Sequence, residues 1–333
     1  MKAPYRAQIV AVGSALPERR LTNADLERMV ETTDEWIVTR TGIRERRIAE
    51  PGQGLMSLAV PASIQCLERA GVAAEAIDGI IVATISGDYV MPSTANLLQH
   101  RLKAAKAWGF DLLNACNGFV TALATASAFI EAGRAKRILV VGGDVMSTLI
   151  DYRDRNTCIL FGDGCGAVLL EAGPIDGPGI IGCELHSDGA GGDDLNIPSS
   201  GSAMPSCTET LAAGHHFLKQ NGRAVFTQAI RRMAEVSSNL LSSLNLGCSD
   251  VDLLVPHQAN LRIIEPTAER LGLPMSKVVV NIDRVANTTA GTIPLALSDA
   301  LADGRLRAGS RVLLVAFGGG LTWGACYLTW GRP

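Results

Sequence analysis

Three residues of this 333-residue chain combine a reactive type with a turn that exposes it. Cys116 lies in FDLLNACNGFVTALATASAFI, where an apolar strand-like run gives way to small residues and then to a long helical stretch. A thiol at a helix N-terminus has its thiolate favoured by the positive end of the helix dipole and by free backbone N–H groups. Ala115 and Gly118 leave room for a reactant to approach the sulfur. His257 follows Pro256 in LLVPHQAN, and Asn287 lies in RVANTTAGTIPLAL between an apolar run and a helix. Alone, each has an ordinary explanation: a buried inert thiol, a hydrogen-bonded structural histidine, an N-cap or Asx turn. Together, a neutral Cys/His/Asn set supplies a nucleophile and donors for a developing oxyanion. Gly318, Gly319 and Gly320 follow the run RVLLVAF and let backbone N–H groups approach a reacting carbonyl. FGDGCG, with Gly162, Gly164 and Gly166, lacks the lysine of a phosphate loop and the dinucleotide fingerprint, so tight packing of glycines is its better account.

The elements that must position these residues read as α/β. Short runs rich in Val and Ile recur at Gly79–Thr84, Gly109–Leu113, Arg137–Val141, Asp252–Val255 and Val278–Ile282, separated by Ala/Leu stretches of helical character. Continuous apolar runs suit strands covered on both faces. Thr22 with Asp25 is an acidic capping box opening a helix, and Thr32 with Glu35 offers a second. Gly189 to Gly214 is rich in Gly, Ser and Pro and reads as a loop. An internal repeat is also visible: LERAGVAAEAID ends at Asp78 and resembles LSSLNLGCSDVD ending at Asp252, while AGRAKRILVVGG resembles AGSRVLLVAFGG. Both pairs share one offset, since 252 − 78 = 174 and 311 − 137 = 174. Two similar α/β halves follow. The offset carries Cys116 to Ala290 and His257 back to Ala83, so the three reactive residues sit at related strand ends, where open α/β sheets bind ligands.

Composition narrows the function classes. Hydrophobic residues make up 47% and charged residues 19%, which excludes disorder and permits a large core without disulfide or metal support. A formal net charge of −3 and only 5% aromatics argue against nucleic-acid binding. The eight cysteines show no Cys-x-x-Cys spacing, so neither a zinc ribbon nor a thioredoxin-type pair is expected; they suit reduced thiols of a cytoplasmic protein. No apolar stretch of about 18 residues exists to span a membrane, and the first residues do not form a signal peptide.

DEWIVTRTGIRERR, ACNGF, FGDG, VPHQANLRII, NTTAGT and FGGGLTWG occur in an order that resembles β-ketoacyl-[acyl-carrier-protein] synthase III from about Ile9 to Trp330. The resemblance implies the thiolase fold: two related halves, residues 1–175 with the nucleophile and 176–333 with His and Asn, in a five-layered αβαβα arrangement, usually homodimeric. It implies decarboxylative Claisen condensation of an acyl-CoA primer, acetyl-CoA foremost, with malonyl-acyl-carrier protein, initiating fatty-acid synthesis without metal or other cofactor. Cys116 would take the acyl group, His257 and Asn287 would stabilise the enolate, and the N–H groups of Cys116 and Gly319 would form an oxyanion hole. Two donors aimed at an enolate oxygen contribute several kcal/mol, about 3 for a typical one. For CoA, Trp36 would stack on the adenine with Arg40 beside it and Arg155 on the opposite side. Gly222, Phe226, Ala259, Asn260 and Arg262 would line the pantetheine path, Arg262 also meeting the acidic carrier protein, since a guanidinium suits phosphate and carboxylate.

Three residues depart from the family pattern. Met91 stands where Phe is common and would reach the partner subunit's acyl pocket, so primer preference could differ from strict acetyl selection. Asn117 follows the nucleophile where Ala or Ser is common, and Thr227 replaces a frequent Lys. A family member serving specialised metabolism, with a longer, branched or unusual primer, is the nearest alternative. A thiolase proper needs a second catalytic cysteine late in the chain, and Cys326 lies inside an apolar run. A non-catalytic partner subunit would lack one of the three reactive residues.

Overall fold

Side chains alternate across a strand, and that alternation sorts the chain into layers in the computed structural model, which describes residues 4–331. The first half contains β1 (Arg6–Ala15), α1 (Asp34–Thr41), α2 (Met56–Ala70), β2 (Gly79–Ala83), α3 (Thr94–Leu102), β3 (Trp108–Leu112), α4 (Gly118–Glu131), β4 (Arg137–Asp144) and β5 (Gly164–Gly173). Its sheet runs in the order β1-β5-β4-β2-β3. The second half contains β6 (Gly179–Ser187), α5 (Gly222–Ser243), β7 (Leu253–Pro256), α6 (Leu261–Arg270), α7 (Thr292–Ala302), β8 (Arg311–Gly318) and β9 (Thr322–Thr329), with sheet order β7-β8-β9-β6. On β4, Ile138 and Val140 pack on the central helices α4 and α7, while Leu139 and Val141 pack on α2 and α3. On β8, Val312 and Leu314 face those same central helices, and Leu313 and Val315 face α5 and α6. The layers are therefore αβαβα, the thiolase fold.

The repeat holds residue by residue at the centre. β2 and β7 begin 253 − 79 = 174 residues apart, and β4 and β8 begin 311 − 137 = 174 apart. The 3₁₀ turns Ala115–Asn117 and Thr289–Gly291 open α4 and α7 at the same offset, 289 − 115 = 174. Both turns start on a left-handed non-glycine residue, Ala115 at φ 45° and Thr289 at φ 50°. Pairing is parallel in β2/β4 and β7/β8, and antiparallel in β4/β5 and β8/β9. We propose the 175/176 junction as the boundary between halves, because the first sheet's last strand ends at Gly173 and the second's first begins at Gly179. The halves share the central helical layer, so each leaves an apolar sheet face open without the other.

Some local expectations shift. Val278–Ile282 is not a strand: Val278 forms a single bridge to Leu254, and a short helix begins at Ile282. The Gln258 side chain explains this, because its Nε2 donates to the Val279 carbonyl and its Oε1 accepts the Asn281 N–H, bonds a neighbouring strand would otherwise make. Thr22 and Asp25 do form the capping box. The second cap is Thr33, not Thr32: its Oγ1 accepts the Trp36 N–H at 3.1 Å. The Gly189–Gly214 segment holds a 3₁₀ turn, a two-residue strand and the short helix Thr208–Ala212 within loop. Among the FGDGCG glycines, a side chain on Gly166 would meet Pro294 Cβ at 2.6 Å and one on Gly162 the Val285 carbonyl at 2.7 Å, so this motif is a packing device.

Candidate active site

The nucleophile candidate is presented by strain and by a close-packed glycine. After β3 the chain turns through Ala115, whose left-handed backbone costs about 1 kcal/mol or more, and places Cys116 at the mouth of α4. Gly318, ending β8 in the other half, lies against this turn: a Cβ there would be 2.7 Å from the Cys116 nitrogen and 3.0 Å from that of Asn117. Cys116 is 8% exposed and lines a cavity of about 1360 Å³. His257 and Asn287 line the same cavity, as do Gly318, Gly319 and Gly320.

His257 is buried, directly beyond β7, with its N–H on the Val315 carbonyl. Its Nδ1 lies 2.7 Å from Thr292 Oγ1. Burial drives its pKa down to about 3, so the ring is neutral. Gln258 braces the same turn through hydrogen bonds from Nε2 to the Pro256 and Val279 carbonyls. Asn287 is held by the first half, its N–H on the Leu160 carbonyl and its own carbonyl accepting from Gly162. The Thr289 N–H donates to Asn287 Oδ1 at 2.8 Å, which turns the Asn287 Nδ2 donors toward the cavity.

Asp144, at the end of β4, anchors this floor. One carboxylate oxygen accepts from Thr84 Oγ1, Ser86 Oγ and the Ile85 and Ser86 N–H groups, and the other accepts from Thr289 Oγ1. Burial raises its pKa against the pull of these donors. The strand ends thus cross over: Gly318 of the second half supports the Cys116 turn, and Asp144, 174 residues earlier, supports the Thr289 turn. Burial, then the Asp144 carboxyl, push the Cys116 thiol up to about 12. This runs against the resting thiolate expected from the helix N-terminus; the helix end stabilises charge as it develops, not a standing anion.

Farther out, Trp36 and Arg40 of α1, with Gly222, Phe226, Ala259, Asn260 and Arg262, line the cavity. Arg40 Cζ sits 4.7 Å and Arg155 Cζ 5.0 Å from the Trp36 ring centroid, and Arg155 Nη1 donates to the Glu31 carbonyl. Arg262 Cζ lies 5.5 Å from the Phe226 ring. Asn260 caps α6, its Oδ1 accepting the Arg262 N–H. Met91 is 84% exposed and does not line this cavity, although Tyr89 and Val90 do. Cys326 is buried on β9 beside Cys183, outside the cavity lining, which removes it as a second catalytic thiol. Among the described residues, no three His, Cys, Asp or Glu side chains gather as metal ligands.

Asp144, Thr289 and Thr292 escaped sequence reasoning because each acts through a partner distant in the chain. The repeat carried the signal: the offset of 174 takes Asp144 to Gly318, and Gly118, at the start of α4, to Thr292.

Two family models match the chain: 3-oxoacyl-[acyl-carrier-protein] synthase III over residues 110–189 and the C-terminal part of the same enzyme over 241–330. The β-ketoacyl-[acyl-carrier-protein] synthase III of Chlorobaculum tepidum is 47% identical over 327 residues, covering 98% of this chain and 99% of its own. The crystal structure of the Thermus thermophilus synthase III superposes with a TM-score of 0.90 at 44% identity, covering 98% of this chain and all of that one. The priming β-ketosynthase of the R1128 polyketide pathway superposes at 0.91 with 34% identity, covering 100% and 99%.

Proposed function

The chain belongs to the β-ketoacyl-[acyl-carrier-protein] synthase III family, and from that premise we propose that its cavity joins an acyl-CoA primer to malonyl-acyl-carrier protein through an acyl-Cys116 intermediate. The observation that supports this most is one cavity of about 1360 Å³ whose floor holds Cys116, His257 and Asn287 and whose far lining holds Trp36, Arg40 and Arg262. Cys116 Sγ attacks the acyl-CoA carbonyl, and CoA leaves as the thiol with the proton Cys116 loses. The N–H groups of Cys116 and Gly319 receive the tetrahedral oxyanion. In the second half-reaction the malonyl carboxylate leaves as CO2, and its bonding electrons become an enolate whose oxygen accepts hydrogen bonds from His257 Nε2 and Asn287 Nδ2. That carbanion equivalent attacks the acyl-Cys116 carbonyl; the thiolate departs and takes up one proton from water, the proton consumed in the overall reaction. Side-chain and backbone donors carry every charge, so these steps call on no metal or cofactor.

Adenine enters between Trp36 and Arg155 in this scheme. At 5.0 Å the guanidinium now covers the ring, so Arg155 swings outward when a base arrives. Gly222, Phe226, Ala259 and Asn260 flank the pantetheine, and Arg262 meets both phosphate and carrier protein. The protein acts as a cytoplasmic homodimer in which Met91 reaches the partner's acyl pocket; its 84% exposure in the single chain supports that role. No helix of the described residues is long and apolar enough to cross a membrane.

Intact-protein mass spectrometry with a panel of acyl-CoAs tests the scheme. An acyl adduct on wild type, absent from Cys116→Ala and lost with β-ketoacyl product on adding malonyl-carrier protein, is the expected result, with acetyl-CoA the best primer. Adducts only from long or unusual acyl groups would move the protein to specialised metabolism. No adduct from any primer would sink the acyl-enzyme mechanism.

A further inference from the structure

The mechanism asks His257 to donate from Nε2, yet a neutral imidazole carries hydrogen on only one nitrogen. Which one is decided at Nδ1, whose hydrogen-bond partner is Thr292 Oγ1 at 2.7 Å. Both residues are buried, so solvent does not compete for the bond. The Thr292 hydroxyl has a single hydrogen and two acceptors in reach: His257 Nδ1 and the Thr289 carbonyl at 3.0 Å. That carbonyl already accepts the Thr292 backbone N–H, which closes the 3₁₀ turn. Both directions keep these buried groups paired, but the His257 contact is the shorter, 2.7 Å against 3.0 Å, and the Thr289 carbonyl needs no second donor. Pointing it at Thr289 forces Nδ1 to donate and turns a bare Nε2 lone pair toward the cavity.

The pseudo-twofold repeat shows that this contact is a place in the fold before it is a hydrogen bond. Thr292 and His257 stand 292 − 257 = 35 residues apart, and their counterparts Gly118 and Ala83 stand 118 − 83 = 35 apart. Those two also touch: a Cβ on Gly118 would lie 3.2 Å from Ala83 Cβ. One half fills the position with inert small residues, and the other with a hydroxyl against an imidazole.

We propose that the Thr292 hydroxyl donates to His257 Nδ1 and so holds the ring in the tautomer with hydrogen on Nε2, making Thr292 a positioning residue for the condensation half-reaction. This rests on the enolate-stabilising role given to His257 above. Cys116 acylation does not use that donor, so the two half-reactions separate the effect from a general structural one.

The test pairs a direct readout with a kinetic one. In 15N-histidine-labelled wild type, with His257→Gln used to assign the signal, the ring should show a protonated Nε2 and an unprotonated Nδ1. Thr292→Val should still form the acetyl-Cys116 adduct at close to the wild-type rate. Its kcat for condensation should fall about tenfold or more with little change in KM for malonyl-carrier protein, short of the roughly 10²–10³-fold lost with a donor itself. Thr292→Ser, which keeps the hydroxyl, should restore it. A protonated Nδ1 in wild type, or a Thr292→Val enzyme condensing at the wild-type rate, would overturn the inference. Should Thr292→Val not fold, the wild-type spectrum decides alone. A wild type that never acylates Cys116 would defeat the functional assignment instead, and the tautomer would still be read independently.

Discussion

At His257, burial beside a single threonine hydroxyl keeps the ring neutral, because an imidazolium taken out of water without a counter-charge is costly. The unfolded ring titrates near about 6.5, and the folded one near 3. The folded value is the lower, so the contribution to stability is complete above the unfolded pKa and is lost as pH falls from about 6.5 toward 3. Wild type should therefore lose about 2 kcal/mol more than His257→Gln between pH 7.5 and pH 5, measured as the difference in urea-unfolding free energy at the two pH values. Equal losses would mean that the ring is charged or solvated in the native state. The identity of this residue was legible in sequence, since type and turn sufficed to single it out. Its partner was not: Thr292 reads there only as one more β-branched residue opening a helix, and nothing local announces that its hydroxyl meets a ring 35 positions earlier.

The elements matter through how closely they approach. Gly318 ends β8 with its α-carbon against the backbone of the turn that presents Cys116, and the atom a Cβ would strike at 2.7 Å is a main-chain nitrogen, not the end of a flexible side chain. Gly318→Ala should therefore displace that turn, slow Cys116 acylation by about 10²-fold through a misplaced oxyanion donor, and cost roughly 1–3 kcal/mol of stability from overpacking. Gly201→Ala offers the contrast, since nothing stands within 4 Å of its Cβ and it lies away from the turn. Acylation by mass spectrometry with paired thermal melts checks both; equal stability loss in the two variants would contradict the packing argument. The strands were legible because runs covered on both faces are continuously apolar, and the offset of 174 located the matching halves. Val278–Ile282 misled for a physical reason: its composition suits a strand, but the buried Gln258 amide takes the bonds a neighbour would need. Side-chain capture of backbone leaves no periodic trace.

For the whole molecule, the unresolved business of the fold lies at one sheet edge. β3 is the outermost strand of the first sheet, with Trp108, Phe110 and Leu112 only half-buried. Leu113 follows at 79% exposure, and Tyr89, Val90 and Met91 stand exposed on the loop beyond β2. An unpaired edge beside an apolar patch is a template for association that a stable monomer would blunt with charge. In the homodimer proposed above, a second copy related by a twofold axis would cover it with its own identical patch, and such self-complementary contacts close after two subunits. Sequence supplied Met91 only through family resemblance; its exposure needed the fold. Met91→Asp places a carboxylate in the centre of this contact, where burial without a partner is costly. Sedimentation velocity at micromolar concentration should show a dimer for wild type and a shift toward monomer for the variant. If Met91 also shapes the partner's acyl pocket, Met91→Phe should keep the dimer while sharpening preference for acetyl-CoA over longer primers in the adduct assay, because a rigid ring fills space that a flexible thioether yields. A wild type that sediments as a monomer would remove the cross-subunit pocket, and a Met91→Phe dimer with an unchanged primer ranking would confine Met91 to the interface.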